Sequence, residues 1–410
     1  MSEMSAQPNT PSDAASVLAP ASSPEADRAI GAMLGLAIGD ALGAPVEGWP
    51  PQRIVERLGA VDSYVDLDRL PGLYTSRTQQ ALCLLDTLLA EDGFKPESLG
   101  LSFVTMSKAL HQKWPIYGAF RATNRGFRDA VDRLADGVSW RESGTLSASN
   151  DPALRVVPLA VWAREYRVVQ FREDVIESAW ITHRDPRALA GALAFAFAVV
   201  HVVNLSNAAQ FDARGFLRAI AEFTRDAEAV IAKRWWAADL KLPHDAVHDV
   251  SNVLRRSEGW LGQSSARLVE QVTRFARPLG ERDVRGTSAF VVASLTTALV
   301  TFACLAAAPQ DALIEAVNLG GDTSGIGGMV GALAGGLHGL QAFREAWVTG
   351  LQNAAVIRQR AESLASGEGL PEGALRLVRV EAALTEAEIP RLKARHTGPH
   401  TEEDRGQDDH

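Results

Sequence analysis

Cysteine is nearly absent. Only Cys83 and Cys304 occur in 410 residues, both in apolar runs, so this is no disulfide scaffold, and the thiols read as small buried hydrophobes of a reduced cytoplasm. No run of Lys or Arg forms a basic stripe, and 50 Asp plus Glu against 41 Lys plus Arg leave a formal net charge of -9. That argues against nucleic acid as the main partner, because neutralising phosphates needs such a stripe. Aromatics make up 7%, alternating β-branched runs are scarce, and no repeat of about 20 to 50 residues is found. A GxxxxGK[ST] loop is missing and the GxGxxG pattern fails at Val330, so a nucleotide-binding α/β domain is not expected. Residues 1–25 are rich in Ser, Pro and Ala and lack a basic region followed by an apolar core, which reads as a disordered lead rather than a signal peptide.

What remains is a helical pattern. The chain is 46% hydrophobic and long enough to bury a large core without staples. Ala- and Leu-rich segments at residues 77–91, 152–166, 187–203, 213–235 and 289–307 carry helical periodicity, with Gly and Pro mainly between them. The expected fold is all-α. Residues 188–200 are too short for a membrane span, and residues 286–308 contain Thr287, Ser288, Ser294, Thr296, Thr297 and Thr301. Both are expected to be buried helices, so no membrane partner is expected. Residues 212–281 are more charged and carry Trp235, Trp236 and Trp260, consistent with an insertion or a peripheral layer of the same domain. Of the -9 net charge, residues 1–30 carry -3 (four acids, one Arg) and residues 401–410 carry -4 (five acids, one Arg). The acid excess therefore belongs mostly to the tails.

Three segments hold chemistry-bearing residues. Gly35, Gly39 and Gly43 recur every four residues and form one bare helix face, with Asp40 beside it and Glu47 in the loop after Pro45. At residues 74–80, Ser76 with Gln79 makes a capping box, and such a helix N-terminus also attracts anions. Gly327, Gly331, Gly335 and Gly339 form a second four-residue ladder, preceded by a turn through Gly320, Gly321, Asp322 and Thr323. Asp322 at that helix start can cap it, hold a cation, or do both. Two turns complete the set: Asn150 to Pro158 with Arg155, and Thr182-His183 before a buried helix.

In this order the segments resemble the ADP-ribosylglycohydrolase family over about residues 28 to 345. Gly39, Asp40, Leu42, Gly43 and Glu47 match its opening Gly-Asp-x-Leu-Gly motif and following Glu. Residues 74–78 align with its Tyr-Thr-Asp-Asp-Thr motif, residues 150–158 with its Asn-Gly-x-x-Met-Arg-x-x-Pro loop, Thr182-His183 with its Thr-His turn, and residues 318–325 with Asn-Leu-Gly-Gly-Asp-Thr-Asp-Thr. The resemblance implies a single large orthogonal helical bundle over residues 26–395, followed by an acidic disordered tail at 396–410. It implies Glu47 and Asp322 as the catalytic pair. Asp40, Asn150, Arg155, His183, Gly118 and Thr123 are the candidate ligand-binding positions, for a small molecule of ADP-ribose or nucleotide type or an ADP-ribosylated protein.

The departures fall on the metal ligands. The family holds two Mg²⁺ or Mn²⁺ ions through the Thr and two Asp of one motif and the Asp, Asp and Thr of the other. Here the metal positions read Thr75, Ser76, Arg77, Asp322 and Ser324, with Gly325 at the last, so only Thr75 and Asp322 survive. Hard divalent ions need several carboxylate oxygens, so no metal cofactor is expected. Arg77 would place a fixed cation where an ion sits and would pair with Asp322. Three readings follow. One is a catalytically degenerate member that binds ADP-ribose, NAD or a related ribosyl ligand; another is a metal-independent hydrolase of an N- or O-ribosyl bond; the third is a non-catalytic helical interaction protein. Asp151, standing where the family has Gly, puts a negative charge near the expected diphosphate and lends weight to the third.

Overall fold

Ser23 starts the helix Pro24–Gly43: its side chain accepts the Ala26 N–H at 3.0 Å, Pro24 occupies the first turn, and Glu25 and Asp27 complement the helix dipole. Apart from its first residues this helix is buried all round, which an Ala/Gly/Leu sequence permits. It runs antiparallel to Thr323–His338, and the two expected glycine faces meet. A Cβ on Gly31 would overlap the Gly335 carbonyl; Gly35 stands in the same relation to Gly331, Gly39 to Gly327 and Gly43 to Thr323. Only glycine lets the backbones come this close. The antiparallel sense brings the end of Pro24–Gly43, and Glu47 just beyond it, to the start of Thr323–His338.

The computed structural model describes residues 11–91, 93–111, 116–163, 168–237, 248–278, 284–370 and 372–397. Among these the architecture is all-α, with short 3₁₀ segments, turns and three isolated bridges between the helices. Around the glycine pair pack Ser76–Glu91, Pro186–Val203, Val291–Leu305, Pro309–Asn318 and Ala354–Ser366. Pro24–Val46 and Pro186–Val203 are long and apolar enough to cross a membrane, but 94% and 78% of their apolar windows are buried inside the protein; Val291–Leu305 is shorter. The helices Ala213–Ala237, Asp249–Ser257 and Ser265–Ala276 form a layer whose Phe216, Leu254 and Val272 join the same continuous core. Trp260 is buried there and stacks on Phe275.

Three expectations differ from the structure. Only Cys83 is a buried thiol, whereas Cys304 is exposed. Residues 152–166 do not form one helix: Asp151–Arg155 ends at Val156 and Val157–Trp162 begins anew, because Pro158 has no N–H to continue the ladder. Within the expected disordered lead, Pro11–Leu18 is helical, Val17 is 2% exposed, and Arg358 donates to the Val17 and Pro20 carbonyls. Residues 1–10 and 398–410, and the side chains of Trp235 and Trp236, lie outside the described residues.

Candidate functional site

Asp40 projects from the buried face of Pro24–Gly43 to the start of Ser76–Glu91. Its Oδ2 accepts the Thr75 and Thr78 N–H groups at 3.1 and 3.2 Å and the Thr78 hydroxyl at 2.7 Å. The expected Ser76/Gln79 capping box does not form: the Ser76 N–H donates to the Arg121 carbonyl at 2.7 Å and the Gln79 N–H to the Thr75 carbonyl at 3.3 Å. Ser76 Oγ instead donates to the Ala122 carbonyl at 3.3 Å, and Gln79 Nε2 donates to the Ala119 carbonyl and to Glu381.

This anchoring aims Arg77 at the other glycine helix. Its Nη2 donates to Asp322 Oδ1 at 2.5 Å and its Nη1 to Ser324 Oγ at 2.5 Å. Glu47 Oε1 lies 3.5 Å from Nη2, and Asp151 Oδ1 lies 3.8 Å from Nε. Glu47 Oε2 accepts from the Ser324 N–H at 2.9 Å and the Ser324 hydroxyl at 2.8 Å, so it caps Thr323–His338 from outside. Asp322 Oδ2 accepts from Asn150 Nδ2, whose amide also reaches Ser294 Oγ at 2.9 Å. A Cβ on Gly325 would overlap the Asp322 carboxylate. The glycine at this position thus makes room for the acid to fold back over the helix start.

One guanidinium therefore faces four carboxylates, Asp40, Glu47, Asp151 and Asp322. Burial, and the Glu47 charge beside it, push the Asp322 carboxyl up to about 8 although Arg77 opposes them. Burial alone would raise Glu47 as well, but the Arg77 charge and the Ser324 N–H outweigh it and hold Glu47 below the usual range. Burial raises Asp40. Arg77 is held firmly protonated by Asp322, Glu47 and Asp151, which overcome its own burial.

The donor set does not suit a divalent ion. The Arg77 nitrogens stand at hydrogen-bond distance from the Asp322 and Ser324 oxygens, Ser76 Oγ is turned toward Ala122, and Gly325 offers no ligand. Among the described residues no group of three His, Cys, Asp or Glu side chains is arranged to hold a metal.

The remaining expected positions divide. Arg155 is fully buried and donates to Gln80 Oε1, the Ser178 carbonyl and Thr182 Oγ1. His183 is equally buried between Ser149 Oγ and Thr182 Oγ1, each at 2.8 Å, and burial with the nearby Arg155 keeps it neutral. Neither side chain is exposed here, and both hydrogen-bond within the layer beneath the site. Asn150 and Asp40 are also fully buried, in contact with the cluster. Gly118 adopts φ +60°, and a Cβ there would overlap the Ser107 carbonyl, while Thr123 is half-buried in the loop beside Ser76. Toward solvent the site presents Glu47, whose side chain is 36% exposed, and then the edge of Arg77 at 10%.

Asp151 was not foreseen as a member of the cluster. It is turned inward, 3% exposed, accepting from Asn124 and Gln80. The signal was present, since an acid in place of glycine one residue after Asn150 supplies a carboxylate where residues 76, 77 and 324 had lost theirs.

Comparison with known proteins agrees with this architecture. The ADP-ribosylglycohydrolase family pattern matches residues 21–374. YegU of Escherichia coli is 27% identical over 77% of this chain and 89% of its own length. The ADP-ribosyl-[dinitrogen reductase] glycohydrolase of Rhodospirillum rubrum is 26% identical over 84% of this chain and 97% of its own. A solved chain of an ADP-ribosylglycohydrolase-related protein complex is 24% identical and covers 83% of this chain and 98% of that one with a TM-score of 0.57, a likeness of fold. A match running through every motif of the site, on the all-α architecture built around the glycine pair, means that this chain belongs to the ADP-ribosylglycohydrolase family.

Proposed function

We propose that this protein binds a ligand of the ADP-ribose class, free or carried on a protein, at the Glu47 end of the glycine helix pair, without metal-dependent hydrolysis. The observation that carries the reading is the Arg77 guanidinium, seated 2.5 Å from both Asp322 Oδ1 and Ser324 Oγ. It supplies permanently the positive charge that the family's metal motifs would otherwise gather. A guanidinium cannot take up a water and lower its pKa as a metal does, so the fixed cation can stabilise negative charge but cannot generate the nucleophile. Two buried acceptors, Asp40 Oδ1 and Asn150 Oδ1, and one donor, Arg77 Nε, make no hydrogen bond among the described residues.

The test is calorimetric titration of ADP-ribose and NAD with Mn²⁺ and with EDTA. Heat of binding that is equal in both, with no turnover of ADP-ribosylarginine, is expected. A Mn²⁺ requirement for binding or cleavage would sink the reading.

One observation favours a second reading, metal-independent hydrolysis. Glu47 and Asp322 are pushed in opposite directions, the arrangement that separates a base from an acid. Under that reading Glu47 activates water and Asp322 donates a proton. Cleavage of ADP-ribosylarginine in EDTA that disappears in Glu47→Gln would establish it against the first.

A further inference from the structure

The helix Leu377–Thr397 begins after residue 374, where the family match ends, yet its inward face is made of buried polar groups. Glu381, Thr385 and Glu388, spaced to share one side of a helix, are each 0% exposed. Glu381 Oε2 accepts from Arg121 Nη2 at 2.7 Å and Gln79 Nε2 at 2.9 Å, and its Oε1 accepts from the Tyr74 hydroxyl at 2.6 Å. Arg121 in turn donates from Nε to the Tyr74 carbonyl at 3.0 Å and from Nη1 to Thr385 Oγ1 at 2.9 Å. Its backbone N–H donates to Gln79 Oε1 at 2.9 Å, and its carbonyl accepts the Ser76 N–H at 2.7 Å. Further along, Glu388 pairs with Arg69 at 2.8 Å.

Every bond of this network that leaves the helix by way of Glu381 or Arg121 toward Ser76–Glu91 ends on Tyr74, Ser76 or Gln79, on either side of Arg77. A buried ion pair adds little net stability over apolar side chains of the same volume. What it adds is direction, because a planar guanidinium and a carboxylate accept few mutual geometries. We infer that Glu381 and Arg121 are a positioning pair, through which helix Leu377–Thr397 sets the first turn of Ser76–Glu91 so that the Arg77 guanidinium reaches Asp322 and Ser324. The inference rests on the reading that Arg77 is the site's resident cation. It adds that a segment outside the family match joins Asp40 in fixing the cation's place.

The experiment uses the full chain and two variants, Glu381→Gln and the paired Arg121→Met/Glu381→Leu. In the paired variant Tyr74 Oη keeps Asn353, Gln79 Nε2 and Thr385 Oγ1 keep the Ala119 carbonyl, and the residue-121 backbone keeps Ser76 and Gln79, so the helix can stay docked while only the side-chain bonds of the Arg121–Glu381 pair are lost. The readouts are rotation of the Arg77 guanidinium by NMR, assigned from the signal missing in Arg77→Lys, and hydrogen exchange of residues 74–80, 31–43 and 377–397. In both variants rotation and exchange at 74–80 should quicken at least tenfold, while exchange at 31–43 is unchanged. If Glu381→Gln loosens the whole molecule, the paired variant decides. Unchanged Arg77 rotation in the paired variant, with residues 377–397 still protected, would overturn the inference. A Mn²⁺ titration of the unaltered protein tests the resident-cation reading separately: tight binding there would remove that reading and leave the coupling of Glu381 to residues 74–80 measured on its own.

Discussion

Glu47 holds two parts of the site with two oxygens: Oε2 accepts the Ser324 N–H at 2.9 Å, and Oε1 lies 3.5 Å from Arg77 Nη2. The carboxylate that caps one helix thus also neutralises the cation that rises from another. Loss of either charge is felt in two helices.

Removing the cation alone should be costly. Arg77→Met removes the buried counter-charge of Asp151 and Glu47 and leaves Asp322 without its donor, and breaking such a buried pair costs about 3 to 5 kcal/mol. Urea denaturation is expected to show that loss, with most of it recovered in Arg77→Met/Asp322→Leu. A single variant as stable as the parent would mean the guanidinium does not balance those acids.

The raised Asp322 carboxyl fixes the sign of a pH dependence. Between the usual carboxylate value and about 8 the unfolded chain has released this proton and the folded chain retains it. Its contribution is therefore complete at low pH and disappears as pH rises through about 8. Glu47 works the other way, its contribution being lost as pH falls below the ordinary carboxylate range. Denaturation midpoints measured from pH 5 to 9 should decline, and Asp322→Asn should flatten that decline; equal slopes in both proteins would contradict the assignment.

Restoring acids should reopen the site to an ion. Ser76→Asp/Arg77→Asp/Ser324→Asp places carboxylates beside Asp322 in place of the guanidinium, and Mn²⁺ affinity should rise at least tenfold by calorimetry. Unchanged affinity would show that the cluster cannot rearrange around a metal.

The glycine faces should tolerate no methyl. Gly35→Ala pushes a Cβ into the Gly331 carbonyl, and overpacking against backbone costs about 1 to 3 kcal/mol or more. Gly259→Ala, with nothing within 4 Å of the added carbon, is the control and should move the thermal midpoint little.

Much of this was legible in the sequence. The glycine ladders announced helices in backbone contact, and Arg77 in place of an acid announced its pairing with Asp322, because both rest on spacing and charge that survive into the fold. The capping box at Ser76 and Gln79 misled, since local pattern cannot reveal that the carbonyl of Arg121, 45 positions later, takes the Ser76 N–H. Arg155 and His183 were visible as polar residues in turns, but burial is a property of the assembled layers. The network of Glu381 with Arg121 was invisible for the same reason, as its members are separated by 260 positions and lie in unremarkable sequence.

The four-residue rungs of the glycine pair act as a ratchet. Each rung spans about 6 Å of helix, and a smaller slide would set residues that carry a Cβ against facing carbonyls where a Cβ has no room. The distance from Glu47 to Asp322 and Ser324 is therefore stepped rather than adjustable, and chemistry at that end of the pair can change only by exchanging one side chain for another on a fixed frame.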